Sequence, residues 1–506
     1  MIKFLKRVFR FLMGRPFLVS LFLLIQLLIV GYAIWLLGTS GYTVILIFEI
    51  LGVFLSLFII NSHANPAYKI SWILFVLAVP LAGSMFYLFF GRQKYSKKNY
   101  NNLSNIVRID HEMNGYLIDT NMKNKFKKIS SYIKNTTHLD YYANTYTKLL
   151  TPGEIQLTQM LEELNKAKHF IFMEYFIIRE GKMWSSIYEI LKRKSKEGLD
   201  IRIMYDDFGS INKIDSKFKK NLIKDGIKVV NFNPYRPKLS LFMNYRDHRK
   251  ITIIDGNVAF TGGVNIGDEY INLNSKLGYW KDTSIMLRGK AVWNLTVLFL
   301  QIWEFSTKEI QDFDKHRPTI TEESDGIVHV FGDSPVDNHL VTENVYISII
   351  NNAKKYVYIT TPYLIIDNEL LTALKSTAIS GVDVRIIVPH IPDKKIIFYV
   401  TQSYYKELIT SGVKIYEYIP GFLHSKTIVS DDEIAMIGTV NLDYRSLYLH
   451  FENSCLLYNT STVHELRNDC DNILSLSKEI TLEEAKQQPL FKKIIAFVLR
   501  AFSPLM

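Results

Sequence analysis

The sequence predicts an α/β protein in which two similar halves with mixed sheets form a pseudo-two-fold catalytic unit, preceded by N-terminal transmembrane helices. Three observations carry that expectation. A strand–helix–strand–helix–strand order occurs twice, with the same local signatures each time. The pattern His-x-Lys-x4-Asp, followed seven residues on by Gly-x-x-Asn, also occurs once in each half. Ahead of both halves lie three long apolar runs.

A chain of 506 residues exceeds one ordinary core, so several domains are expected. Hydrophobic residues make up 48% of a chain that is 22% charged, which fits apolar segments joined to a soluble part. The net charge of +11 suits nucleic acid, an anionic membrane surface or an anionic substrate. With only Cys455 and Cys470, a disulfide framework and a cysteine-type metal site are both excluded.

In chain order, residues 1–16 mix Lys3, Lys6, Arg7, Arg10 and Arg15 with apolar side chains, a basic amphipathic start suited to a membrane surface. Residues 17–91 read as a membrane-anchoring region with runs at Phe17–Leu37, Val44–Ile60 and Trp72–Phe90. Glu49 makes the second run the imperfect span, and the third contains Pro80 and Gly83. Basic residues precede the first run and follow the third (Arg92, Lys94, Lys97, Lys98). By the positive-inside rule both flanks are cytoplasmic, so the expectation is a multi-pass membrane protein with a cytoplasmic catalytic part. Residues 92–150 read as a polar juxtamembrane connector.

The first half, 151–325, opens with the strand-like run 167–176, Ala167-Lys168-His169-Phe170-Ile171-Phe172-Met173-Glu174-Tyr175-Phe176. A helical stretch follows, then Gly198-Leu199-Asp200-Ile201-Arg202, another helix and Gly226-Ile227-Lys228. The second half, 326–480, repeats this with the run 353–363, then Gly381-Val382-Asp383-Val384-Arg385 and Gly412-Val413-Lys414. Such a β-α-β-α-β order argues an α/β domain, and two copies argue an internal pseudo-dimer. Residues 481–506 read as an amphipathic C-terminal helix, packed on the core or lying on a membrane.

The paired motif gives His248, Lys250 and Asp255 in the first half, and His424, Lys426 and Asp431 in the second. His and Lys two apart in an extended segment share a face, which places an imidazole beside a fixed cation and suits a phosphate. Downstream come Asn265 and Asn441, then an acid opening an apolar strand, Asp282 and Glu452. The spacing from histidine to acid is longer in the first copy because of an insertion rich in Asn and Gly.

Paired motifs of this form resemble the phospholipase D superfamily, over about residues 150–480. Three features are similar to bacterial cardiolipin synthases: Asn65-Pro66-Ala67-Tyr68 in the membrane region, Tyr245-Arg246-Asp247 before His248, and Asn441-Leu442-Asp443-Tyr444-Arg445-Ser446. The resemblance implies one active site between two similar halves, with no metal and no cofactor. It implies phosphatidyl transfer between two phosphatidylglycerol molecules, giving cardiolipin and glycerol, with these lipids and the membrane as partners and no nucleic acid. His248 and His424 would be nucleophile and proton carrier, in an order the sequence leaves open. Lys250 and Lys426, with Asn265 and Asn441, would hold the phosphate oxygens, and Asp282 and Glu452 would orient the imidazoles. Asp255 and Asp431, grouped with the catalytic residues as parts of the motif, read as braces of the strand and loop that carry His and Lys. Tyr245, Phe422 and Tyr444 are candidates for drying the site. The rival readings are a phospholipase D giving the lipid to water, a transferase using another alcohol, and a non-catalytic membrane-anchored anion-binding protein.

Overall fold

The computed structural model describes residues 24, 28, 31–32, 39–91, 124–234, 245–273, 276–336 and 339–505. The chain divides into two compact units: 1–98 with 235–244 and 497–506, and 99–234 with 245–496.

In the smaller unit, helices Thr39–Ile60, Pro66–Ala78 and Pro80–Phe86 precede a π-helical turn at Tyr87–Gly91. Asn65 caps the second helix by accepting the Ala67 N–H, and Pro66 follows where no N–H is needed. The core here is aromatic, with Trp72 set edge-on to Tyr87 at 5.4 Å and to Tyr68 at 6.2 Å. A Cβ on Gly83 would lie 2.5 Å from the Phe75 carbonyl oxygen, so only glycine permits this approach.

The expectation of transmembrane helices, and with it of a multi-pass membrane protein with an assigned cytoplasmic side, is overturned. Among the described residues no helix is both long and apolar enough to cross a membrane. The third apolar run does not continue as one helix, because Pro80 lacks an N–H and clashes with a preceding turn; one helix ends at Ala78 and another starts at Pro80. The helix that holds the second run, Thr39–Ile60, carries Glu49 near its middle. The basic start 1–16, most of the run Phe17–Leu37 and the basic flank 92–98 lie outside the described residues.

The larger unit contains the two halves. Its first strands are β1 (Thr145–Leu150), β2 (Phe170–Tyr175), β3 (Asp200–Asp206), β4 (Lys228–Phe232), β5 (Arg246–Asp247), β6 (Lys250–Ile254), β7 (Val258–Gly262) and β8 (Ser284–Gly289). All but β5 form a seven-stranded sheet in the order β1-β8-β7-β6-β2-β3-β4. The second set is β9 (Ile327–Asp333), β10 (Tyr356–Thr360), β11 (Leu364–Ile365), β12 (Asp383–Pro389), β13 (Lys414–Tyr418), β14 (Thr427–Ser430), β15 (Ile434–Gly438), β16 (Leu442–Asp443), β17 (His450–Tyr458) and β18 (Ser477–Glu479). Its sheet runs β18-β13-β12-β10-β14-β15-β17, with β9 also paired to β17. From β9 through β13 this repeats the first order strand for strand, with β2, β3 and β4 answering to β10, β12 and β13. The parallel pairs β2–β3–β4 and β10–β12–β13, with antiparallel neighbours, make both sheets mixed.

β1 lies inside the stretch read from sequence as a connector, yet it is the edge strand of the first sheet. Helix Asn124–Thr137, also in that stretch, packs on the second half: Phe126 meets Tyr458 at 4.9 Å and Ser130 shares a hydrogen bond with the Tyr458 hydroxyl. At the C-terminus a short helix, Leu482–Lys486, precedes the helix Leu490–Phe502, on which Leu490, Phe491, Ile494, Phe497 and Val498 are exposed.

Candidate active site

Each histidine stands on a segment that crosses to the opposite half. The His248 N–H donates to the Phe451 carbonyl at 2.9 Å, and the His424 N–H donates to the Lys281 carbonyl at 2.7 Å. The short strand β5, just before His248, pairs in parallel with the start of β17. A lone bridge between Lys281 and Leu423 does the same job before His424. Phe451 and Lys281 each immediately precede an acid, so this exchange carries that acid to the opposite histidine.

The side chains follow. His248 Nδ1 donates to Glu452, 2.9 Å from both carboxylate oxygens. His424 Nδ1 donates to Asp282 Oδ2 at 2.6 Å. Each imidazole is therefore held at Nδ1 by the acid of the other half, which leaves Nε2 for chemistry. The acids are themselves fixed: Asp282 Oδ1 accepts the Thr283 N–H at 2.9 Å, and Glu452 Oε2 accepts the Thr439 hydroxyl at 2.5 Å. Gly263, at the position equivalent to Thr439, is required because a Cβ there would lie 1.9 Å from Asp282 Oδ1. The motif glycines Gly262 and Gly438 have a similar origin, since a Cβ would crowd Ser284 and Ser454 on the neighbouring strand.

Lys250 and Lys426 are both 1% exposed. Each ammonium donates to the carbonyl of the histidine two residues earlier. Burial pushes Lys250 down to about 7 and Lys426 to about 8, with Asp282 and Glu452 acting in opposition. Burial likewise lowers His424 to about 4 and holds His248 well below its ordinary value. His248 is depressed further by Lys250, Lys426 and His424, so the cations of both motifs act on one imidazole. Burial alone would raise Asp282, but His424 and Lys426 outweigh it and keep the carboxyl low. A pocket holding two dehydrated ammonium groups is prepared for an anion that restores their charge.

Aromatic rings enclose the imidazoles. Phe176 sits 4.9 Å from His248, and Trp280, Phe422 and Tyr270 lie 5.2, 5.6 and 5.7 Å from His424. Phe422 thus stands where a drying residue was expected. Tyr245 and Tyr444 are buried, Tyr444 stacked on Tyr448.

The motif aspartates, grouped by sequence with the catalytic residues and read as braces, stand apart from this cluster. Asp255 lies at the far end of β6 and accepts the N–H groups of Lys168, His169 and Phe170 at 2.7–2.9 Å. Asp431 does the same for Lys354, Lys355 and Tyr356 at 2.8–3.0 Å. Both adopt φ +55°, a left-handed conformation that Asp tolerates. The asparagines differ from each other. Asn265 spends its amide on a brace, accepting the Ile177 N–H at 3.0 Å and donating to the Tyr270 hydroxyl at 2.8 Å. Asn441 is buried, with its amide oxygen unpartnered among the described residues.

Sequence reasoning missed Thr439, Phe176, Trp280 and His450. Trp280 and His450 each stand two residues before the acid, so strand alternation places their side chains on its face. His450, with His248 and Glu452, forms a group whose potential ligand atoms lie within 4.8 Å of one another; Glu343, Asp367 and Glu369 form a second such group.

Comparison with known proteins agrees with this geometry. Residues 160–303 and 346–474 match the family described as "Cardiolipin synthase, PLD-like domain", and residues 50–92 match "Phospholipase_D-nuclease N-terminal". A cardiolipin synthase of Alkalihalophilus pseudofirmus is 37% identical over 489 residues, covering 93% of this chain and 95% of the relative. The chain belongs to the phospholipase D superfamily, in its cardiolipin-synthase-like branch. Within that family, a cardiolipin synthase of Geobacillus kaustophilus is 36% identical, covering 90% of this chain and 92% of the relative. The crystal structure of a phosphatidylserine synthase from Haemophilus influenzae shares the fold, with a TM-score of 0.55 over 75% of this chain and 98% of that one, at 13% identity. At the level of the family, the activity is phospholipase D-type phosphatidyl transfer.

Proposed function

We propose that the protein transfers a phosphatidyl group from one phosphatidylglycerol to a second, giving cardiolipin and glycerol through a phosphohistidine. The observation that carries this reading is the pair of imidazoles, each held at Nδ1 by the acid of the opposite half and standing among two buried lysines. The phosphodiester repels nucleophiles until its charge is neutralised, and Lys250 and Lys426 do this, with a contribution from the Asn441 amide. Nε2 of one histidine attacks phosphorus. The other, brought to its charged form by the entering anionic phosphodiester, donates its Nε2 proton to the departing glycerol oxygen, so a P–N bond forms as the P–O bond breaks. The second histidine, now neutral, takes the proton of the incoming glycerol hydroxyl, which attacks phosphorus and frees the first. Glu452 and Asp282 stabilise the imidazolium states that arise in turn.

Support for phosphatidylglycerol as donor and acceptor comes from relatives named cardiolipin synthase that align over nine tenths of the chain. The net charge of +11 suits an anionic lipid surface. The aromatic rings around His424 favour a lipid alcohol over water as the second hydroxyl. Purified protein incubated with phosphatidylglycerol alone tests the reading. Cardiolipin and glycerol in equal amounts are expected. Phosphatidic acid as the main product would make the enzyme a hydrolase, and no turnover would reject the reading.

A further inference from the structure

The two halves of the site differ in the residue that stands two places before each acid. Trp280 precedes Asp282 by two residues, with Nε1 3.5 Å from Asp282 Oδ2 and its ring 5.2 Å from His424. At the matching place before Glu452 stands His450, with Nδ1 3.5 Å from Glu452 Oε1 and its ring 5.3 Å from His248. An indole offers only a donor N–H, whereas an imidazole offers a lone pair. The exchange therefore gives one half, and not the other, an extra ligating group.

We propose that His248, His450 and Glu452 form a binding site for a zinc-class divalent ion, whose occupation blocks the transfer reaction. His248 Nδ1 lies 2.9 Å from both Glu452 oxygens, and His450 Nδ1 lies 3.5 Å from Oε1. A tetrahedral ion with bonds of about 2.0–2.1 Å holds its ligand atoms about 3.3 Å apart, so these spacings bracket what it requires. His450 is 8% exposed, and its Nδ1 has no hydrogen-bond partner among the described residues, which leaves a buried nitrogen facing the carboxylate. Two imidazoles and one carboxylate select zinc, copper or nickel over magnesium or calcium. The Thr439 hydroxyl on Glu452 Oε2 supplies the outer bond that orients a ligating carboxylate.

Occupation has a chemical consequence. The ion takes the lone pair of His248 Nδ1, the proton held there passes through solvent to Nε2, and the ring stays neutral as the Nε2–H tautomer. Without a lone pair at Nε2, His248 can neither attack phosphorus nor accept a proton from the acceptor alcohol. The inhibition rests on the proposed function; the binding does not.

The test separates the two. The full-length protein is titrated with Co²⁺ without lipid, following the visible bands of tetrahedral cobalt, and Zn²⁺ is then added as competitor. Wild type is expected to bind one equivalent, displaced by Zn²⁺, and His450→Asn to bind at least about tenfold more weakly, since losing a ligand costs no less than losing an outer-shell partner. Trp280→His, which copies the second half into the first, is expected to add a second equivalent, so a poorly folding His450→Asn does not leave the question open. Zn²⁺ should inhibit phosphatidylglycerol turnover in wild type, reversibly by chelator, and at least tenfold less potently in His450→Asn. Equal Co²⁺ affinity in wild type and His450→Asn, or no tetrahedral spectrum in wild type, would overturn the site. Equal Zn²⁺ inhibition in the two proteins would overturn its link to the reaction.

Discussion

His424 Nδ1 lies 2.6 Å from Asp282 Oδ2, and the two residues come from opposite halves of the chain. His248 and Glu452 repeat the exchange in the other direction. Neither histidine can be oriented within its own half. The duplicated unit is therefore a single site with two cross-braced arms, whose chemistry depends on both halves folding together.

That exchange predicts which acid serves which histidine. Asp282→Asn should remove the downfield Nδ1 proton resonance of His424 and leave that of His248, and Glu452→Gln should do the reverse. Both variants should lose about 10²–10⁴ in kcat, the size expected when an imidazole loses its orienting carboxylate. Loss of the His248 resonance in Asp282→Asn would show that the arms are paired within halves.

Asp255 and Asp431 act at a distance, through the strands. Asp255→Ala leaves three N–H groups at the start of β2 without their carboxylate. It should cost on the order of 2–3 kcal/mol in denaturant unfolding, while kcat per folded molecule stays within a few-fold of wild type. A loss comparable to that of Asp282→Asn at unchanged stability would return Asp255 to the reaction.

The lysines set the response to pH. Buried Lys250 and Lys426 lose their protons near 7 and 8 in the free protein. Bound phosphodiester favours the charged forms and raises both values. The alkaline limb of kcat/KM should therefore begin near pH 7–8, and that of kcat should lie at higher pH. Coincident limbs would contradict the assignment. The sign for stability is opposite. Between about 7 and 10.5 the unfolded chain binds more protons than the native protein at these two lysines, so their contribution to stability rises with pH and is lost as pH falls through 8 and 7.

Much of this was legible in the chain, for identifiable reasons. Strand content, the Gly-x-Asp-x-Arg repeats and the doubled motif depend on local spacing, and they led to the duplicated mixed sheets and to His248, His424, Lys250 and Lys426. The cross-pairing was not legible, because spacing along the chain suggests that His248 would meet Asp282, whereas the segment exchange is a tertiary event. Asn265 illustrates the same limit: a motif position suited to phosphate turns out to brace Ile177 and Tyr270. Apolar runs counted in sequence misled at the N-terminus, where Pro80 divides one run between two helices.

Trp280 should keep water from the intermediate. Its ring covers His424 and packs on Phe422 at 4.8 Å. Trp280→Ala should raise the share of phosphatidic acid among the products several-fold, with total turnover reduced less than in Asp282→Asn. An unchanged product ratio would assign the exclusion of water to other residues.

The central claim is that one of the two cross-braced histidines carries the phosphatidyl group while the other moves the proton. A phosphatidyl ester with a p-nitrophenolate leaving group needs no proton donor in the first step, so it separates the two roles. Wild type, His248→Ala and His424→Ala would be mixed with this ester and quenched, and the histidine-bound adduct measured. The account predicts adduct in one of the two variants and none in the other. Normal adduct in both, or in neither, would contradict it.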